Sequence, residues 1–237
     1  MSYDERHDGR KPEELRHMEA KVGVIKNAEG SAYFKIGNTW GYAAVYGPRN
    51  LYPKFLQDPS KGLLRCNYNM MPFSGSGNRV RPGQNRRAKE ISMVTDKALQ
   101  PVISLDEFPN SVVDVFIELP QTEAGSRCAG ICAASMALAD AGILMKDLVS
   151  AVSVGRVGDM LLVDLDYFEE AYEDGPVADI PLAMTNRTKE ISLLQMDGEI
   201  SKDMLLKVVE MGKKSMEQIH EVQRKALKAK YEGGQNA

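Results

Sequence analysis

The feature that most constrains this chain is the stretch QTEAGSRCAGICAASMALADAG over residues 121–142. A polar turn, Gln121 to Gly125, leads into Ser126 and Arg127. An almost wholly apolar run over 128–141 follows, and Gly142 closes it. Ser126 stands where a helix N-cap belongs, because a serine hydroxyl accepts from a free first-turn amide. Gly142 stands just past the last apolar residue, where a helix ends. A helix that is apolar on every side cannot face water, so this one is predicted to be buried. Its N-terminus carries unpaired amides and partial positive charge. Gly125 permits close backbone approach, and Arg127 adds a planar fork matched to phosphate oxygens. Two readings follow: an oxyanion or phosphate site, or a capped core helix whose arginine makes a surface ion pair. Gly-Ser-Arg is too short a motif to choose between them.

The 237 residues suffice for one large domain or two intimate ones. Formal net charge is −3, so no global positive field recruits nucleic acid, and a polyanion must meet a local basic patch. Cys66, Cys128 and Cys132 lie in apolar segments without metal-binding spacing. They are read as reduced core residues, which suits a cytoplasmic protein. No signal peptide and no apolar run near the ~18 residues of a membrane span is present. His7, His17 and His220 stand apart from other candidate catalytic residues, so histidine catalysis is not expected.

Residues 1–11 are short and charged, and are expected to be mobile until anchored. Short β-rich runs at 21–26, 31–36 and 40–46 alternate with turns and predict an antiparallel meander ended by Gly47-Pro48. A strand is predicted at 63–71, carrying Arg65. Residues 73–85 form a Gly/Ser/Arg/Pro loop containing Arg79 and Arg81. Helical periodicity spans 86–102, with Ile91, Val94, Ala98 and Leu99 on one face. Arg86 and Arg87 at its start oppose the macrodipole, as a solvated basic end or as groups awaiting an anion. This is the most basic region of the chain, which favours a polyanion partner. A strand at 111–119 feeds directly into the 121–142 turn and helix, a unit that places phosphates in α/β folds. Strands are predicted at 148–154 and 160–165. Asp164, Asp166, Glu169, Glu170, Glu173, Asp174 and Asp179 then crowd a loop. That cluster is either a solvated loop or a Mg²⁺ and general-acid site, since hard cations take carboxylates and waters. Short strands at 181–185 and 190–196 precede a long helix over 204–230 capped by Ser201. Residues 232–237 are expected to be a disordered tail.

Several ordered strings resemble the ribonuclease PH family, and within it the catalytic subunits of the archaeal exosome core. They are Asp8-Gly9-Arg10 with Glu14-Leu15-Arg16, Glu29-Gly30-Ser31-Ala32, Gly37-Asn38-Thr39 and Ala43-Ala44-Val45-Tyr46-Gly47-Pro48. Met71-Pro72-Phe73-Ser74, Asn85-Arg86-Arg87, Ala124-Gly125-Ser126-Arg127, Asp164-Leu165-Asp166 and Ala178-Asp179-Ile180-Pro181 continue the series. The resemblance implies an α+β ribonuclease PH-type fold, with mixed and antiparallel sheets packed against helices in one intimate two-part domain. Its parts would be an N-terminal segment 1–19, a first half 20–145, a second half 146–231 and the tail.

The same resemblance implies a phosphorolytic 3′-to-5′ exoribonuclease that uses inorganic phosphate to release nucleoside diphosphates from single-stranded RNA. The reverse reaction adds nucleotides. The implied assembly is a hexamer of three heterodimers with a related non-catalytic ring subunit, topped by RNA-binding cap subunits. Alternatives are a homohexameric ribonuclease PH that trims tRNA ends, and a silent RNA-binding scaffold subunit. By the resemblance, Gly125, Ser126 and Arg127 bind phosphate, Arg86 and Arg87 grip RNA, and Arg65 lies near the pore. Asp179 is an active-site acid that protonates the leaving group or holds Mg²⁺. The family's second acid falls six residues after Asp164, where this chain has Glu170 rather than aspartate. The longer loop leaves Asp174 as the other candidate for that acid and, with Asp179, for Mg²⁺.

Overall fold

The computed structural model describes residues 3, 5–76, 78–83 and 85–232. The 232–237 tail expectation falls, beyond Glu232, outside the described residues. Strands β1 (Met18–Val22), β2 (Gly30–Ile36) and β3 (Thr39–Asn50) form the predicted antiparallel meander, with the first strand at 18–22 rather than 21–26. Strand β5 (Ser111–Gln121) adds antiparallel to β3, and β4 (Leu63–Met70) adds parallel to β5. The sheet order is therefore β1-β2-β3-β5-β4. A second sheet runs β10-β8-β6-β7, with β9 also on β8. Its strands are β6 (Val149–Val157), β7 (Met160–Val163), β8 (Val177–Thr185), β9 (Ile191–Leu194) and β10 (Asp197–Gly198).

Helix α2 (Ser126–Asp140) is the apolar run, and it touches both sheets: β2, β3 and β5 on one side, β6 and β8 on the other. Burial on all sides, predicted from composition, is what a helix between two sheets requires. Ile131, Cys132, Met136 and Leu138 are fully buried, each such large side chain contributing about 1.5–3 kcal/mol. Small residues let the layers close up. A Cβ placed on Gly30 of β2 would sit 2.4 Å from the Ala137 carbonyl oxygen. Buried Asp140 ends the helix by accepting from the Ser31 amide (3.0 Å) and the Lys230 ammonium (2.6 Å). Lys230 belongs to α4 (Lys202–Glu232), which covers β6, β7 and β8 and reaches β1. Helix α1 (Arg86–Leu99) packs on β4 and α2. The result is an α+β fold of mixed sheets packed against helices.

Four local expectations change. Residues 5–11 are anchored rather than mobile, because Arg6 is buried in an ion pair with Glu169 at 2.7 Å. Strand β3 runs past Pro48 to Asn50, since a register shift between Tyr46 and Arg49 absorbs the interruption. Helix α1 stops at Leu99 and a 3₁₀ turn takes 100–102, where Pro101 has no amide to donate. Strand β8 begins at Val177, so Asp179 sits on a strand rather than in an acidic loop. The acids hid an alternation in which Ala178 and Ile180 point inward.

Candidate active site

Strand β5 delivers the chain to the turn before α2, where Gly125 adopts φ 65° and ψ 27°. That left-handed conformation favours glycine. Gly125, not Ser126, is the N-cap, so Ser126 is the first helical residue and its hydroxyl makes no capping bond. The hydroxyl is thereby left for another partner. Behind the turn, Arg16 acts as a clamp. Its guanidinium pairs with Asp164 through Nε (3.0 Å) and Nη2 (2.7 Å) and reaches the Ala124 carbonyl at 3.4 Å. Thr39 Oγ1 donates to the same carbonyl at 2.7 Å and accepts from the Glu123 amide at 2.9 Å.

The Asp-Leu-Asp motif and its neighbours are mostly structural. Asp164 takes Arg16 and its backbone amide. Asp166 caps the short helix α3 (Tyr167–Glu170) in a capping box with Glu169. Glu169 binds Arg6 and Tyr3. Among the described residues, the set of three potential ligand atoms within 4.8 Å of one another is His7, Asp166 and Glu169. Arg6 and Arg10 already lie against those carboxylates, which disfavours a cation there.

Glu170 is different. It shares a cavity of about 60 Å³ with Asp179, Gly125, Ser126, Arg127 and Arg87. Burial and then the Asp179 charge push its pKa from 4.5 up to about 7, against the pull of Arg16, the Gly125 backbone and Arg87. Asp179 is also raised, by burial first and by Asp197, and is opposed by a hydrogen bond from Ser153 and by Arg127 and Arg87. The β8–β10 register puts Asp197 directly opposite Asp179. Asp174 lies on an exposed turn between α3 and β8, away from this cavity.

The basic side comes from two helices. Asn85 caps α1 by accepting from the Ala88 amide at 2.8 Å, which sets Arg86 and Arg87 on its first turn. Arg87 lines the cavity and Arg86 does not. Among the described residues neither has a carboxylate within ion-pair distance, and Arg87 meets Glu170 and Asp179 only through longer-range attraction. Arg127 lines the cavity and is held at its rim by Gln195, with Glu90 at 3.9 Å. The surface ion pair of the simpler sequence reading therefore exists, at the outer edge of a group that also faces the cavity. Arg65 stands apart, in a two-point pair with Asp114 (2.5 and 2.9 Å) on the exposed face of the first sheet.

Sequence reading missed Arg16, Ser153, Gln195 and Asp197 as parts of this site. They come from four separate segments, and only strand register and helix packing gather them. Arg16 and Asp164 both lay in strings that carry the resemblance, with no signal in the sequence that they pair.

Comparison with known proteins gives the class to which this fold belongs. The chain belongs to the 3′ exoribonuclease family: its domain 1 matches residues 14–144 and its domain 2 matches residues 147–215. More particularly, it is similar to proteins called exosome complex component Rrp41. It is 46% identical to that of Methanopyrus kandleri over 95% of this chain and 93% of the relative. It is 49% identical to that of Thermococcus kodakarensis, over 94% and 88%. Among solved structures, rice (Oryza sativa) Rrp46 matches with a TM-score of 0.83 at 25% identity, over 94% of this chain and all of that one. A chain of the Archaeoglobus fulgidus exosome with RNA bound to the active site matches in fold, with a TM-score of 0.78 at 23% identity over 92% of each.

Proposed function

We propose that this chain is the phosphorolytic 3′-to-5′ exoribonuclease subunit of an exosome-type ring. The observation that carries the reading is one cavity that joins an anion-binding helix N-terminus to a carboxylic acid able to hold a proton at neutral pH. Inorganic phosphate is the co-substrate. Gly125, Ser126 and Arg127 bind it, and Arg87 holds the adjoining phosphodiester while Arg86 guides the RNA backbone outside the cavity. A phosphate oxygen attacks the terminal phosphorus, the bond to the preceding 3′-oxygen breaks, and a nucleoside diphosphate leaves. Negative charge accumulates on two neighbouring phosphorus centres, so positioning and neutralisation supply most of the catalysis. Glu170 gives its proton to the departing 3′-oxygen, and Asp179, opposite Asp197, keeps that acid's pKa high. The reverse reaction uses the same groups.

The second acid is assigned to Glu170 rather than Asp174, because Glu170 shares the cavity with Asp179. Arg65, engaged by Asp114, is left outside the reacting group. Glu170 is kept for the proton, so a Mg²⁺ ion would be held by the Asp179 carboxylate and waters, a hard oxygen set that fits that metal. When bound, the ion would neutralise charge on the reacting phosphates. The working assembly is a ring with a related non-catalytic subunit and RNA-binding caps, in line with the exosome naming of the relatives. The two halves join near residues 145–147, between the two family matches. No helix among the described residues is long and apolar enough to cross a membrane.

The test is decay of a 5′-labelled single-stranded RNA by the chain alone and with its ring partner, with and without phosphate and Mg²⁺. Nucleoside diphosphates released only with phosphate are expected. Arg127→Glu should abolish that decay and leave the far-UV spectrum and assembly intact. Full activity in that variant would sink the assignment.

A further inference from the structure

Tyr68 of β4 is a buried polar group that the mechanism above does not use. It is 3% exposed. Its amide donates to Ser92 Oγ of α1 at 2.9 Å. Its ring lies under α2 at Gly130, where an added Cβ would stand 3.4 Å from a ring carbon. The phenol is therefore fixed between the two helices that carry Arg87 and Arg127. Its hydroxyl is buried and, among the described residues, has no partner in hydrogen-bond geometry. The Ser126 side chain is within its reach, and Arg87, Arg127 and Cys128 act on it by charge.

A buried hydroxyl without a partner costs the resting fold stability, and a phenylalanine would fill the same space without that cost. Ser126 is not the cap of α2, a position Gly125 holds, and stands as the first helical residue. A hydroxyl offers one proton and two lone pairs. An anion at the helix N-terminus takes the serine proton and leaves a lone pair open toward the phenol.

We propose that Tyr68 is a positioning residue of the phosphate cradle: its O–H donates to Ser126 Oγ when Ser126 donates to bound phosphate. The two hydroxyls then form a short chain that fixes one serine rotamer and strengthens the bond to the anion. Burial pushes the Tyr68 pKa up to about 12, so the phenol keeps its proton across any working pH. No proton is transferred through it. The proposal rests on the phosphorolytic reading above.

Tyr68→Phe in the full chain, assembled with its ring partner, tests this. The KM for inorganic phosphate should rise about three- to tenfold, the effect of one hydrogen bond. The kcat at saturating phosphate and the RNA Kd should stay near wild type. The Tm should be unchanged or higher, because an unpaired buried hydroxyl has been removed. In a Ser126→Ala background, Tyr68→Phe should add nothing. An unchanged phosphate KM in Tyr68→Phe, with wild-type decay still phosphate-dependent, overturns the proposal. So does a lower Tm with kcat reduced and KM unmoved, the mark of a purely structural phenol. Should Tyr68→Phe fail to fold, the rise in Tm that phosphate gives the wild type is compared with that of Ser126→Ala. Equal rises overturn the proposal. Wild-type decay that ignores phosphate overturns the functional reading itself and this inference with it.

Discussion

Glu170→Gln separates what an acid does for catalysis from what it costs the fold. In the native state burial and Asp179 raise the Glu170 pKa from 4.5 to about 7. A carboxyl with a raised native pKa binds its proton more tightly folded than unfolded between those two values. Stability therefore falls as pH rises through that window, and the loss is complete above about pH 7. A difference of roughly 2.5 pH units at about 1.36 kcal/mol each gives a ceiling of about 3.4 kcal/mol. The side chain is only partly enclosed, so screening brings the expectation to about 1–2 kcal/mol. Glutamine has the same shape and no charge to desolvate. Urea unfolding of wild type and Glu170→Gln at pH 5 and pH 8 checks this. The two should match within about 0.5 kcal/mol at pH 5, and the variant should be more stable by about 1–2 kcal/mol at pH 8. Phosphate-dependent RNA decay should fall at least about a hundredfold, the usual weight of a general acid. A variant less stable than wild type at pH 8, or a difference that does not change with pH, would refute the account of this carboxylate.

Asp174→Asn should leave phosphate-dependent decay within about twofold of wild type, since its turn lies outside the cavity; a loss matching that of Glu170→Gln would move the acid role to Asp174. Asp164→Ala should destabilise by about 2–4 kcal/mol in denaturant unfolding, because it leaves the buried Arg16 guanidinium with Glu123 as its carboxylate partner, at 3.4 Å. A cost under 1 kcal/mol would mean that Arg16 finds other compensation at the α2 turn.

Much of the fold was legible locally. The 121–142 stretch announced a buried helix because an apolar surface on every side admits no other placement, and the structure puts it between two sheets. The meander over β1 to β3 and the long α4 were readable for the same reason: period and turn chemistry are local. Periodicity placed a helix start at Arg86, and the Asn85 cap that fixes it is visible only in the structure. Errors arose where a local rule competed with a distant partner. Ser126 has the composition of an N-cap, yet the left-handed Gly125 takes that position, held from behind by Arg16 and Thr39. Residues 5–11 look like a charged leader, yet buried Glu169 gives Arg6 a partner 163 residues away.

The division at the site follows the same line. Residue types and spacing alone marked a helix start after Gly125, a pair of arginines and an acid-rich segment, because each needs only a few neighbours in sequence. They did not determine which acids are spent. Only the tertiary structure paired Asp164 with Arg16 and Glu169 with Arg6, leaving Glu170 and Asp179 to face the cavity. Side chains alternate along a strand, so a shift of β8 by one residue would turn Asp179 to the other face. That register is set by its pairing with β6 and β10, and no local signal in an acidic stretch encodes it.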